Sequence, residues 1–217
     1  MASANKSLAW QLTEEEMFSS AEYFQGLSGL VRRLPCQAID GIAQAILSAF
    51  DEERTVFVFG NGGSAASASH MMCDMNKGIM QTAQNKRLKV IALTDNVPLL
   101  TAWANDSSYD LVFSEQLKTF VRGRDVALAI SASGNSRNVL LALRAAREHG
   151  AVTLGVTGFQ GGKMKPLCDI CAVVPSSNMQ MIEDMHHAIL HSVLTVVRKR
   201  LGAGQPEAIA AGGRFNT

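Results

Sequence analysis

Two short segments rich in glycine and serine each follow a run of apolar residues. The first is Gly60-Asn61-Gly62-Gly63-Ser64, directly after Val56–Phe59, and the second is Ser131-Ala132-Ser133-Gly134-Asn135-Ser136, directly after Val126–Ile130. Glycines let the backbone approach an anion closely, and a helix that begins at such a turn offers free N–H groups and a partial positive charge. Serine hydroxyls add donors for phosphate oxygens. The candidate binding residues of these turns are Asn61, Gly62, Ser64, Ser131, Ser133 and Ser136.

Neither turn matches a common nucleotide-binding fingerprint. A P-loop requires a lysine after its glycines, and the first turn has none. The third glycine of the dinucleotide-binding fingerprint is also absent. Asp95 stands where a dinucleotide-binding protein makes a ribose contact, but without the fingerprint we keep it only as a substrate-binding candidate. The two turns therefore predict a site for a phosphorylated sugar; the alternative is that they serve packing alone.

Histidines and carboxylates form the second group of candidate residues. His70 and Asp74 are four apart on the helix predicted after the first turn, so they share a face. Glu183, His187 and His191 follow one stripe of the last helix, with His186 beside it. Two chemistries fit this set: paired acid and base catalysis next to a sugar carbonyl, or a divalent ion, zinc above all, that polarises the carbonyl.

The spacing of Glu183 and His191 is a geometric difficulty for a single ion. At 1.5 Å per residue the two lie about 12 Å apart along a straight helix. Three solutions are open: Glu183 precedes the regular part of the helix, a neighbouring subunit supplies one ligand, or His187 replaces one of the two.

The elements that must position these residues alternate between helix and strand. Apolar runs predict five strands, at Val56–Phe59, Leu88–Leu93, Val126–Ile130, Val152–Val156 and Ile170–Val174. Helices are predicted between them, with a closing helix over Met181–Leu201. Two more precede the first strand, one from a capping box at Thr13–Glu16 to about Leu30 and one from Pro35 to Phe50. Strands separated by helices predict an α/β fold, a three-layer α-β-α sandwich around a five-stranded parallel sheet with an N-terminal helical extension.

Composition excludes several other classes of protein. The chain has 217 residues, 47% of them hydrophobic, and a net charge of +1, so no basic field indicates binding to nucleic acid or a membrane surface. No apolar run reaches the length of a membrane span, and residues 1–6 lack the apolar core of a signal peptide, which predicts a cytoplasmic protein. Cys168 and Cys171 form a C-x-x-C pair, but on a strand they are expected to point to opposite faces, as small buried residues.

The combined motifs resemble the sugar isomerase (SIS) domain family, in its phosphoheptose isomerase branch. The resemblance covers about Phe50 to Leu201 and rests on the G-N-G-G-S turn at Gly60–Ser64 and the S-x-S-G-N-S loop at Ser131–Ser136. In that branch the loop serines bind the sugar phosphate, and a histidine six residues after the turn serine matches His70. The resemblance implies an N-terminal helical segment (1–50) that serves oligomerisation and a SIS domain (51–201), and the Gly- and Ala-rich composition of residues 202–217 predicts a flexible tail.

Two positions depart from the pattern of the family. The family has a glutamate where this chain has Asp74, and a glutamine where it has Glu183, whereas the histidine of the last helix is retained as His191. Lys77 and Gly78 occupy the neighbourhood where the family often places an arginine. Both departures keep acidic groups that can bind a metal, so the resemblance implies a retuned site.

The resemblance implies a cytoplasmic isomerase that interconverts D-sedoheptulose 7-phosphate and D-glycero-heptose 7-phosphate through an enediol, for nucleotide-heptose biosynthesis. Asp74, Glu183 and His191 are the catalytic candidates, and His70, Asp74, Glu183 and His191 are the candidate zinc ligands. It also implies a homotetramer with sites at subunit interfaces. The alternative is a non-catalytic SIS module that senses a phosphosugar or associates with a bacterial replication initiator.

Overall fold

The computed structural model describes residues 19–79 and 86–202 and contains seven α-helices and five strands in this part of the chain. The helices are α1 (Ser20–Val31), α2 (Cys36–Asp51), α3 (Gly63–Gly78), α4 (Val97–Asp106), α5 (Ser114–Phe120), α6 (Arg137–Glu148) and α7 (Met179–Arg200). The strands are β1 (Thr55–Gly60), β2 (Lys89–Ala92), β3 (Val126–Ser131), β4 (Val152–Thr157) and β5 (Ile170–Val173). All pair in parallel in the order β2-β1-β3-β4-β5, which confirms the predicted α/β fold.

Helices cover both faces of the sheet, because its strands carry apolar side chains on both sides. Val56 and Val58 of β1 belong to one core, which also contains residues of α2, α3 and α7. Phe57 and Phe59, the alternate residues, belong to the other core, with residues of α5 and α6. This arrangement is the predicted three-layer sandwich.

The strand order creates a switch point at the C-terminal ends of β1 and β3. The chain leaves β1 towards one side and β3 towards the other, and a crevice opens outside the strand ends at such a point. Gly60 pairs with Ile130, the residue before Ser131, so the two glycine/serine segments begin side by side. A Cβ on Gly60 would lie 2.5 Å from the carbonyl oxygen of Ile130, so this close approach of the strands requires glycine.

The N-terminal helices differ in part from the sequence expectation. The helix that contains Leu30 begins at Ser20, not near Thr13, because Ser19 caps it: the Ser19 hydroxyl accepts a hydrogen bond from the backbone N–H of Glu22. The capping box at Thr13–Glu16 lies outside the described residues. Ile42 and Phe50 of α2 share a core with Val56 of β1. The domain boundary at residue 50 stays a prediction. The flexible tail also stays a prediction, since Gly202 is its only described residue.

The expectation for Cys168 and Cys171 is wrong in its geometry. Strand β5 begins only at Ile170, so Cys168 precedes it and the alternation of side chains along a strand does not apply to the pair. The two sulfurs lie together over Gly155, where a Cβ would be 2.7 Å from the sulfur of Cys168 and 3.2 Å from that of Cys171. The thiol of Cys168 donates a hydrogen bond to the carbonyl of Met164 at 3.4 Å, and its closeness lowers the pKa of Cys171.

None of the helices in residues 19–79 and 86–202 combines the length and the apolar character that a membrane crossing requires.

Candidate active site

The first glycine/serine turn opens α3 with its backbone exposed. Gly62 is the N-cap residue, has a φ of 54°, and carries no side chain that could cap the helix. A Cβ on Gly62 would meet nothing within 4 Å, so open space lies in front of the turn. Ser64 is buried in the first turn of α3. The helix N-terminus thus presents backbone donors to a space large enough for an anion.

The second turn is held from behind by the loop after β4. Gly134 has a φ of 61°, and a Cβ there would lie 2.4 Å from the carbonyl oxygen of Gly161. Met164 donates its backbone N–H to the carbonyl of Gly134 at 2.9 Å, and Lys163 donates its own to the side-chain oxygen of Asn135 at 3.1 Å. Ser131 is buried, whereas Ser133 and Ser136 are half-buried at the mouth of the turn.

A pair of amides joins the two turns. The side chains of Asn61 and Asn138 exchange two hydrogen bonds of 2.9 Å, and the hydroxyl of Tyr109 donates to the same oxygen of Asn61 at 2.9 Å. Asn138 is buried in the first turn of α6. Because these bonds occupy the side-chain oxygen of Asn61 and one of its two N–H groups, the side chain acts mainly as a brace between the turns.

His70, Asp74 and His191 come together between α3 and α7. Nε2 of His70 lies 3.1 Å from Oδ2 of Asp74 and 3.1 Å from Nε2 of His191, and the third separation, from His191 to Asp74, is 3.7 Å. Tetrahedral ligands at zinc distances of about 2.0–2.2 Å are separated from one another by roughly 3.3–3.6 Å. The three observed separations differ from this range by only about 0.1–0.2 Å, so the ligand atoms have nearly the mutual spacing of three corners of a zinc site.

Glu183 lies apart from this cluster, at the opposite end of α3. Among the described residues, the group with metal-ligand spacing contains His70, Asp74 and His191 and does not include Glu183. The carboxylate oxygens of Glu183 lie 3.4 and 3.5 Å from the point where a Cβ of Gly63 would be. A carboxylate at the N-terminus of a helix interacts favourably with the helix dipole. Within one chain, Glu183 thus lies beside the first glycine/serine turn, where α3 begins.

His187 lies between these two groups. Its Nε2 is 3.2 Å from the hydroxyl of Ser67, which in turn donates to the carbonyl of Gly63 at 3.0 Å. Because the serine proton is used in that bond, Nε2 of His187 is the donor to Ser67. The ring centroid of His187 is 6.0 Å from that of His70, so the three histidines form one polar surface.

His186, the next residue before His187, points the other way. It is only 1% exposed and lies beside the backbone of Thr157 at the end of β4. Burial lowers the pKa of His186 to about 4, so the ring is neutral at physiological pH.

Asp95 follows β2 at the same edge of the sheet. Its carboxylate accepts hydrogen bonds from the hydroxyls of Ser69 and Thr94, the latter at 3.1 Å. Ser69 is the residue before His70, so Asp95 lies beside α3. The carboxylate is exposed, and its assignment as a substrate-binding residue stays a prediction.

Comparisons with known proteins identify the family. The model of the SIS domain family matches residues 22–158. The phosphoheptose isomerase of Pelobacter propionicus is 38% identical over 174 residues, which cover 80% of this chain and 90% of that protein. The phosphoheptose isomerase of Rhodospirillum rubrum is 42% identical over 146 residues, or 67% of this chain and 77% of that protein. The chain belongs to the phosphoheptose isomerase family.

Solved structures agree with this assignment. The phosphoheptose isomerase of Neisseria gonorrhoeae superimposes with a TM-score of 0.77 at 30% identity, over 82% of this chain and 96% of that one. This phosphoheptose isomerase family member is therefore an enzyme of the isomerase class, as the sequence motifs predicted.

The sequence patterns missed three polar residues of this site: Ser67, Tyr109 and Asn138. Asn138 could have been found, because it directly precedes the apolar residues Val139 and Leu140, with which α6 begins its buried face. Ser67 and Tyr109 had none, since their roles arise only from contacts with distant parts of the chain.

Proposed function

We propose that this enzyme interconverts D-sedoheptulose 7-phosphate and D-glycero-heptose 7-phosphate through an enediol, in nucleotide-heptose biosynthesis. One observation carries the proposal: His70 and Asp74, which meet His191 of α7, lie on the helix that begins at the first glycine/serine turn. Ser64 and His70 are six residues apart, which is about 9 Å along α3. An extended chain advances roughly 1.2 Å per bond, so the reacting carbons of a seven-carbon sugar phosphate lie roughly 8–10 Å from its phosphorus.

The two turns bind the phosphate in this proposal. Ser64, Ser131, Ser133 and Ser136 donate from their hydroxyls, together with backbone N–H groups at the N-terminus of α3. The Asn61–Asn138 pair keeps the turns at a fixed separation. The phosphate thereby fixes the register of the sugar along α3, so that its carbonyl end reaches the histidine cluster.

The acid–base step is assigned to the carboxylates and to His191. Asp74 removes a proton from C1 of the ketose, the C2 carbonyl oxygen takes up a proton, and an enediol results. Return of a proton to C2, with loss of the proton from the C1 oxygen, gives the aldose. His191 moves the proton between the two oxygens or returns it to carbon. Glu183 is the alternative base, although its position against Gly63 favours Asp74.

The spacing of the ligand atoms fits zinc, with His70, Asp74 and His191 as ligands and Glu183 as the further candidate from the sequence. When bound, the ion supplies a Lewis acid for the substrate carbonyl.

A homotetramer with sites at subunit interfaces is part of the proposal. The side chains of His70 and His191 are 50% and 54% exposed in the single chain, whereas proton transfer at carbon needs a site from which water is excluded. A neighbouring subunit would cover them. Phe24 and Val31 of α1 are exposed apolar residues that support a contact through the N-terminal helices. The four free cysteines support a cytoplasmic location.

Proton NMR in heavy water tests the reaction. Purified protein is mixed with sedoheptulose 7-phosphate, with and without added zinc. We expect an aldose phosphate that carries deuterium at C2, formed faster with zinc. No product and no exchange from a panel of ketose phosphates, by a protein that still binds them, would refute the isomerase and leave a phosphosugar-binding module.

A further inference from the structure

Two cysteine sulfurs lie against the same glycine of strand β4. A Cβ on Gly155 would be 2.7 Å from the sulfur of Cys168 and 3.2 Å from that of Cys171. Because both sulfurs lie within 3.2 Å of one point, they are at most about 6 Å apart. Any side chain at position 155 would have to displace them, so glycine leaves the space in which the two thiols meet.

The chain bends between the two cysteines, which is why residues three apart can meet. Asp169 forms the bend, directly before β5. Its carboxylate accepts hydrogen bonds from the backbone N–H of Thr153 at 2.8 Å and from the hydroxyl of Thr153 at 2.9 Å. The N–H of Asp169 donates to the carbonyl of Thr153 at 2.8 Å. Thr153 is fully buried in β4, so the sheet itself fixes the bend that brings the sulfurs together over Gly155.

The two thiols are free and differ in their readiness to ionise. Neither cysteine is in a disulfide, and each keeps part of its surface exposed, so a small reagent can reach the pair. The nearby thiol of Cys168 and the side chain of Lys165 lower the pKa of Cys171. Cys171 and burial raise the pKa of Cys168. In such a pair the thiolate, which is the nucleophile, forms at Cys171 first, while Cys168 keeps its proton.

We propose that Cys168 and Cys171 are a reversible redox pair, in which a peroxide oxidises the two thiols to a disulfide with Cys171 as the attacking sulfur. Rotation about χ1 between staggered positions moves each sulfur by up to about 3 Å, so two sulfurs this close can reach bonding distance. The pair is separate from the cluster of His70, Asp74 and His191, and its oxidation does not depend on the proposed isomerase activity.

The oxidation consists of two steps. The thiolate of Cys171 attacks one oxygen of hydrogen peroxide: an S–O bond forms, the O–O bond breaks, and the hydroxide that leaves takes up the proton lost by the thiol, as water. Cys171 is then a sulfenic acid, and the peroxide is reduced by two electrons. The sulfur of Cys168 attacks that of Cys171: an S–S bond forms, the S–O bond breaks, and hydroxide leaves with the proton of Cys168 as a second water. A dithiol returns two electrons and two protons by thiol–disulfide exchange.

Peptide mapping of the full-length protein tests the pair. The protein is treated with a small excess of hydrogen peroxide, the remaining thiols are alkylated, and trypsin is added. Cleavage after Lys163 and Arg198 places Cys168 and Cys171 in one peptide that contains no other cysteine. We expect this peptide to lose two hydrogens and to escape alkylation at least about fivefold faster than the exposed Cys36 is oxidised. Dithiothreitol should restore both thiols.

Two single variants separate the roles of the two sulfurs. In Cys168→Ser the sulfenic acid of Cys171 has no partner, so it should accumulate and react with dimedone. In Cys171→Ser, Cys168 should take up at least about fivefold less dimedone. Equal labelling of the two variants would overturn the proposal. In the unaltered protein, which serves even if neither variant folds, oxidation of the thiols without a disulfide, or at the rate of Cys36, would also overturn it.

Discussion

Replacement of Asp74 by asparagine is the most direct test of the catalytic site. In the structure Oδ2 of Asp74 is 3.1 Å from Nε2 of His70 and 3.7 Å from Nε2 of His191. The amide has the size and shape of the carboxylate and can keep one hydrogen bond to a histidine. The substitution therefore removes the negative charge and the ability to accept a proton, with little change in packing.

The expected magnitude follows from these two losses. A positioned general base contributes about 10²–10⁴-fold to turnover, and an amide cannot take its place, so kcat should fall by at least ~10²-fold. Loss of the charge between two imidazoles should also weaken zinc binding, since the anionic oxygen is one of the three atoms with ligand spacing. Fold stability should change little, because Asp74 is only half-buried and a surface carboxylate–histidine pair contributes at most about 1 kcal/mol.

The assay follows conversion of sedoheptulose 7-phosphate by NMR, with the zinc content measured on the same preparations. Glu148→Gln is the matched control, because it also turns a carboxylate into an amide. Glu148 is exposed at the C-terminal end of α6, the end away from the glycine/serine turns, so this substitution should leave turnover unchanged. Near-normal turnover of Asp74→Asn would refute the role of Asp74 and move the base to Glu183. Lost turnover that excess zinc restores would leave Asp74 a ligand and not the base.

Four further outcomes are expected. Glu183→Gln removes a negative charge beside Gly63, so inorganic phosphate should bind roughly two- to fivefold more tightly in calorimetry, and unchanged or weaker binding would contradict this placement. In the double variant Asp74→Asn/Glu183→Gln, the effects on kcat/KM should multiply, whereas a non-multiplicative result would show that both acids act on one ion or proton. Asn138→Ala leaves Asn61 without its amide partner and should lower the free energy of unfolding in urea by about 1–3 kcal/mol; an unchanged midpoint would contradict the brace. Folding depresses the pKa of His186 from 6.5 to about 4, so the unfolded chain binds more protons than the folded one between these pH values. About 3 kcal/mol of the free energy of unfolding should therefore be lost as the pH falls from 6.5 to 4. The variant His186→Asn should not show this loss in parallel urea titrations.

The fold could be predicted because its signals are local. Each strand is a short apolar run, and the residues of β1 alternate between two cores as a sheet covered on both faces requires. The errors fell where a local signal had a competitor. Thr13–Glu16 and Ser19–Glu22 both have the form of a capping box, and the second one starts the helix that reaches Leu30. Cys168 and Cys171 were placed by strand alternation, but the strand starts too late for that rule to apply.

The site could be predicted only as far as helix periodicity reaches. His70 and Asp74, four residues apart, meet as expected, and His191 joins them because α7 packs against α3. Periodicity could not separate His186 from His187, since neighbours on a helix differ by about 100° and only packing decides which one is buried. Here β4 lies on the side of His186 and Ser67 lies on the side of His187.

In the proposed binding mode, the two departures from the family pattern act on different ends of the substrate. Gly63 and Asp74 are eleven residues apart, or roughly 16 Å along α3, so Glu183 against Gly63 and the cluster at Asp74 do not share one ion within a single chain. The shorter side chain at Asp74 still holds His70 at 3.1 Å, which preserves the reacting end. In the same binding mode the added charge of Glu183, whose carboxylate lies beside Gly63, would oppose the phosphate at the other end.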